Sequence, residues 1–255
     1  MSYYFARRRL AKLRALAPAY PGLPFYFESY APGNNAYQWR NLGTAGGAIL
    51  TEKGMPGRVL SNEELPFYQY PSSGAFDTWE LPNISATPSD YTFYVLLRGT
   101  DKGFDSSGVG AYVLDFQKPN GVDRTIFGYS RPDGTAEIGV FYQNGQFVNQ
   151  GVAPRAEPGT IKVFIWVCQQ GQPVRVYDET NQLVYTSSIT YSPFAINSYG
   201  LAPTNGNLLN QTLGSSIGSG RTVGADFGGF AADTKVHDAA TRAAVVAKWR
   251  ADLKF

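Results

Sequence analysis

The chain has 255 residues, 43% of them apolar, which suits one large all-β domain or two small ones with a sizeable core. Charged residues make up only 16% while aromatics reach 15%, and 17 Tyr and 16 Phe with many Gly and Pro favour short strands and turns over helices. The net charge is +2; the single Cys168 excludes an internal disulfide, the single His237 leaves no Cys/His zinc cluster, and no apolar run is long enough for a membrane span.

The charge is unevenly placed. Arg7, Arg8, Arg9, Lys12 and Arg14 give the first twenty residues +5 with no acid, leaving 17 bases against 20 acids in the body. Residues 4–16 read as a short basic helix, with Leu10, Leu13 and Leu16 at three-residue spacing beside Phe5 and Ala6. A helix this short needs a surface to pack on. Pro18, Pro21 and Pro24 end it and impose an extended linker, so residues 1–24 form an arm and residues 25–255 the folded body. The arm lacks the apolar stretch and cleavage site of a secretory signal, and with no disulfide the chain is expected to fold in a reducing cytosol.

From Phe25 to Glu80 glycines interrupt short candidate strands at 37–39, 48–50 and 75–81. Regular strands begin at Tyr91. In Tyr91–Gly99 both faces are apolar, which places that strand near the middle of a layered structure. Further strands are expected at 109–116, 124–130, 136–142, 145–150, 161–169, 174–178 and 183–187, a spacing typical of a sandwich. Turn signals join them, the best being Asn144-Gly145, whose residue types tolerate the positive φ of a tight hairpin. Trp166 lies in an apolar strand and belongs to the core. Residues 204–220, rich in Asn, Ser and Gly, read as a long surface loop.

The chain ends in a helix that Asp238 can cap. Ala243, Val246, Trp249 and Leu253 are expected on its buried face, with Arg242, Lys248 and Arg250 solvated and His237 a surface residue at its entry.

Three stretches together resemble the concanavalin A-like (laminin G-like) jelly-roll superfamily, in the form found in phage virion structural proteins. Residues 73–82, containing Phe76-Asp77-Thr78-Trp79, resemble a strand entering the sandwich. Tyr91–Arg98 resembles the strand that follows it. Residues 226–230 followed by 238–254 resemble the closing strand and short C-terminal helix. The resemblance implies an all-β jelly-roll sandwich of two antiparallel sheets. Here it carries an N-terminal and a C-terminal helix.

Glucanases of this superfamily carry a Glu-x-Asp-x-x-Glu strand motif, because retaining hydrolysis needs two nearby carboxyl groups on one face. No such motif occurs, and Asp115 and Glu137 read as isolated, solvent-facing acids. The lone His237 has no Gly-x-Ser-x-Gly elbow to serve, so no enzyme is expected. Lectin-like sandwiches often hold calcium at a loop rim. Asp101, Asp105 and Asp123 are the candidate ligands, although their spacing matches no metal signature and a solvated loop is the preferred reading. Tyr37, Trp39, Tyr68, Tyr70 and Trp79 form a candidate glycan-binding set, with core packing or a subunit interface as the alternative for the two tryptophans.

The arm is open to three readings: nucleic acid, an anionic membrane, or an acidic protein surface. Little base-reading chemistry accompanies the charges, and docking of Arg7, Arg8, Arg9, Leu10, Lys12, Leu13 and Arg14 onto other virion proteins is preferred. The functional expectation is a phage virion structural protein, as a head decoration, head-fibre or tail-fibre subunit, made in the host cytoplasm and displaying a lectin-like domain toward cell-surface carbohydrate. A homo-oligomer such as a trimer follows by family analogy. The alternative is a free carbohydrate-binding lectin module.

Overall fold

The computed structural model describes residues 22–29, 34, 38–47, 49–53, 78–80, 90–99, 112–117, 124–130, 136–143, 146–148, 155–191, 210–213, 225–253 and 255. The expected arm helix over 4–16 lies outside them. Two antiparallel sheets make a jelly-roll β-sandwich, as the sequence pattern predicts. One has six strands in the order β1 (Phe25–Glu28), β15 (Ala225–Asp233), β5 (Tyr91–Gly99), β11 (Ile161–Cys168), β12 (Pro173–Tyr177) and β13 (Leu183–Thr190). The other has nine. Its order is β10 (Arg155–Ala156), β8 (Ala136–Gln143), β7 (Arg124–Ser130), β6 (Tyr112–Gln117), β14 (Asn210–Leu213), β4 (Thr78–Glu80), β3 (Ile49–Lys53) and β2 (Gln38–Arg40), with β9 (Gln146–Val148) also paired to β8. Among the described residues one helix, α1 (Ala239–Leu253), follows β15.

Every residue of β5 is buried, and β5 sits between β15 and β11 in the six-stranded sheet. Its alternation divides the core. Tyr94 and Leu96 join Val163, Ile165 and Val167 of β11, Tyr26 of β1 and Ala231 of β15 on the face that α1 covers. Tyr91, Phe93, Val95 and Leu97 share the opposite face with Phe164, Trp166 and Phe230, toward the second sheet. Trp166 is thus core, as expected. Both covers bury apolar area, each fully buried large side chain contributing about 1.5–3 kcal/mol.

Strand β14 corrects the expectation of an uninterrupted loop over 204–220. Asn-Gln-Thr-Leu has no apolar alternation of its own, and it becomes a strand because β6 and β4 leave a hydrogen-bonding gap between them. Strand β1 was hidden likewise in a segment read as irregular. Gln143 pairs with Gln146, so two residues join β8 to β9. The edge strand β13 is bulged: Val174 alone opposes three residues, and its N–H donates to Ser187 Oγ (2.8 Å), which donates to Ile189 O (2.6 Å). Such a bulge keeps an edge from templating another strand.

Close packing of α1 depends on one glycine. A Cβ at Gly229 would stand 2.9 Å from Trp249 Cε2 and 3.0 Å from the Phe27 carbonyl oxygen. Gly229→Ala is expected to destabilise the protein by about 1–3 kcal/mol in a urea titration, because the indole must shift out of a filled site.

Candidate functional site

The residues with the most chemistry among the described ones lie where β15 turns into α1. His237 is 6% exposed, not at the surface as its position before a helix cap suggested. Its Nδ1 lies 2.6 Å from the Tyr94 hydroxyl and its Nε2 lies 2.8 Å from Asp233 Oδ2. An Asp233 carboxylate can only accept, so Nε2 carries a proton, and in the neutral ring Nδ1 accepts from Tyr94. The other Asp233 oxygen accepts from Thr234 N (2.6 Å). The backbone of His237 is held as well: its N–H donates to Thr92 Oγ1 (3.0 Å), and its carbonyl accepts from Arg242 Nη1 (2.8 Å).

Arg242 corrects a second expectation. It is 7% exposed rather than solvated, with its guanidinium 3.7 Å from the Tyr177 ring centroid and its Nε donating to Asn181 Oδ1 (2.7 Å). Asn181 occupies the left-handed region (φ 66°) in the β12–β13 turn, and its Nδ2 donates to the Ala239 carbonyl (3.1 Å). The buried face of α1 is therefore Arg242, Val245, Val246, Trp249 and Leu253, while Ala243 is exposed. The helical period was legible, but an arginine with three partners displaced the alanine from the inward face. Lys248 pairs with Asp252 (2.7 Å), and Arg250 is exposed, as expected.

An aspartate–histidine pair also occurs in nucleophilic catalysis. Here the second ring nitrogen is occupied by Tyr94, and Tyr94, Asp233 and His237 are all buried. Its chemistry is fastening. Asp238 completes it as the expected cap, its Oδ1 accepting from Thr241 N (2.8 Å). Buried Cys168 has its thiol pKa pushed well up by desolvation and, secondarily, by Asp90.

Burial alternates along β2 at the edge of the nine-stranded sheet. Trp39 is 0% exposed, whereas Gln38 and Arg40 on either side of it are exposed and Ile49, opposite Arg40, is 39% exposed. Trp39 therefore belongs to the inward face. Backbone pairing runs from β2 through β3, β4, β14, β6, β7 and β8 to β9, and it sets Glu80, Thr212 and Asp115 in one cross-strand row.

This sorts the residues singled out from sequence. Trp39 is in the core, which excludes it as a sugar platform and matches the core-packing alternative, and Trp79 lies in β4 opposite Glu52 and Leu213. Tyr37, Tyr68 and Tyr70, the arm residues, and Asp101, Asp105 and Asp123 lie outside the described residues. Among the described residues no group of three or more His, Cys, Asp or Glu could hold a metal, and no helix is long and apolar enough to cross a membrane. Asp115 and Glu80 share a cross-strand row with β14 between them, roughly 10 Å apart along the backbone. That row was not legible because β14, which joins β4 to β6, comes from a segment read as a loop.

No protein-family model matches the chain, and no curated protein matches its sequence. Solved structures share its fold. A mutant of Trypanosoma rangeli sialidase displaying trans-sialidase activity aligns at a TM-score of 0.55 and 8% identity, covering 97% of this chain and 39% of that one. The botulinum neurotoxin serotype D/C binding domain aligns at 0.55 and 12%, covering 89% and 52%. The binding domain of botulinum neurotoxin DC in complex with SialylT aligns at 0.52 and 11%, covering 88% and 50%. The chain thus spans between two fifths and about half of these structures.

Two outcomes are expected for the fastening cluster. Tyr94→Phe removes the only assigned donor to Nδ1 and should cost about 1–3 kcal/mol in a denaturant melt. The Asp238 carboxyl is held below its ordinary pKa, first by the Thr241 backbone N–H and then by the Thr241 hydroxyl. Its contribution is complete above the ordinary aspartate value and disappears as pH falls through the lowered one. In an acid titration followed by circular dichroism, Asp238→Asn should flatten that part of the stability profile.

Proposed function

We propose that this chain is a carbohydrate-binding, lectin-like module carried on the outside of a phage particle. The observation that supports the binding role most is the β-sandwich fold, since solved structures with it include a sialidase and a toxin binding domain in complex with SialylT. The polar cluster at the start of α1 is taken up with holding the helix.

The virion role rests on the sequence. Five positive charges in the first twenty residues, set apart from an acidic body, suit anchoring to an acidic surface of another virion protein. Particle release by lysis would carry a cytosolically made module outside. The reading includes a homo-oligomer, no nucleic-acid partner and no catalysis.

Purified chain on an array of neutral and sialylated glycans should be retained by at least one class and release no reducing sugar from it. Retention by none, or release of sugar, overturns the binding reading. Purified particles of the source phage should contain the chain, and deletion of residues 1–20 should remove it from them. Its absence from intact particles would leave a free lectin module instead.

A further inference from the structure

We infer that the outer face of β12 and β13 receives an extended segment of a partner protein, one carrying a carboxylate side chain and, two residues away, an apolar one. The carboxylate takes the guanidinium of Arg175, and the apolar side chain covers Leu183. The inference goes beyond the carbohydrate reading and does not depend on it.

The face follows from register. Arg175 lies opposite Val167 and Tyr177 opposite Ile165, and both of those β11 residues belong to the core under α1. The alternation of β12 agrees, with Val174 and Val176 buried on its other side. On β13, Thr186 stands opposite Arg175 and Leu183 opposite Tyr177. Arg242 of α1 packs on the Tyr177 ring, so helical cover extends to that residue. Next to it Leu183 is 53% exposed, and Thr186 is exposed as well.

The chemistry follows from an unmet demand. Arg175 is half-buried, yet among the described residues its guanidinium has no hydrogen bond, ion pair or ring contact. A guanidinium presents five donors in a fork that matches a carboxylate, and partial burial strengthens such a pair. Arg242, on the same face, is bonded to the His237 carbonyl and to Asn181 Oδ1, both neutral, and has no ion pair among the described residues. Two guanidinium charges without a carboxylate bias this face toward an anionic partner.

Leu183 narrows the class. A small anion would leave it uncovered, and a nucleic acid calls for a longer basic row. Arginine beside an exposed apolar side chain suits a protein contact instead. The Arg175 and Tyr177–Leu183 rows are two residues apart along β12, about 6.8 Å. That is the separation of side chains at i and i+2 on one side of an extended chain. The bulged β13 resists strand addition at its edge, so the segment lies on the face.

The test measures fluorescence polarisation of labelled synthetic peptides against the full chain. One Ser-rich peptide carries Glu and Leu two residues apart, a second has Gln for Glu, and a third has Ser for Leu. The Glu–Leu peptide should bind. The Gln peptide and Arg175→Gln should each weaken binding about tenfold, and combining them should cost no more than either alone, because both remove one ion pair. Arg175→Lys, which keeps the charge but not the fork, should fall between. Leu183→Ser and the Ser peptide should each cost roughly fivefold. Arg40→Gln, at an exposed arginine of β2, is the control and should change nothing. A thermal melt of each variant separates lost binding from lost folding. Losses that add in the combined case, or an equal loss with Arg40→Gln, overturn the pairing with Arg175. No Glu-dependent binding at millimolar peptide overturns the inference, as does Arg175-dependent retention of sialyllactose in place of peptide.

Discussion

A strand buried on both faces cannot rest on one layer. All nine residues of β5 are buried, so the six-stranded sheet needs an apolar cover on each side. The nine-stranded sheet supplies one and α1 the other. The rest of the molecule follows from that demand: Gly229 is bare where Trp249 lands, Tyr26 stacks on the same indole at 5.7 Å, and β15 ends in a turn that brings the helix back over the sheet. A helix of 15 residues gains little from propensity alone, so packing and the cap hold it.

The polar cluster at the helix start solves a problem that apolar cover creates. Covering the sheet buries the end of β15 and His237 beside it, with polar groups that need partners. His237 uses both ring nitrogens and both backbone groups, joining β5, β15 and α1. Arg242 and Asn181 extend the network to the β12–β13 turn. These side chains, chemically the most reactive among those described, are committed to holding the helix.

An asymmetric sandwich results. The six-stranded sheet is covered on its outer face by α1. A bulged β13 further limits growth of that sheet at its edge.

Periodicity along the chain by itself determined the all-β class, the central position of β5, the core role of Trp166 and the extent of α1 with its Asp238 cap. Each of these depends on neighbours within one strand or one helical turn, where residue type and spacing carry the physics. Only the tertiary structure decided the burial of His237, Arg242 and Trp39, the strand at Asn210–Leu213, and the union of Glu80 with Asp115 in one row. In each case the deciding partner is distant in sequence: Tyr94 is 143 residues from His237, and Asn181 is 61 from Arg242. A polar side chain's environment is set by which remote groups satisfy it, and a weak strand's existence by the edges on either side. Neither leaves a local pattern in the chain.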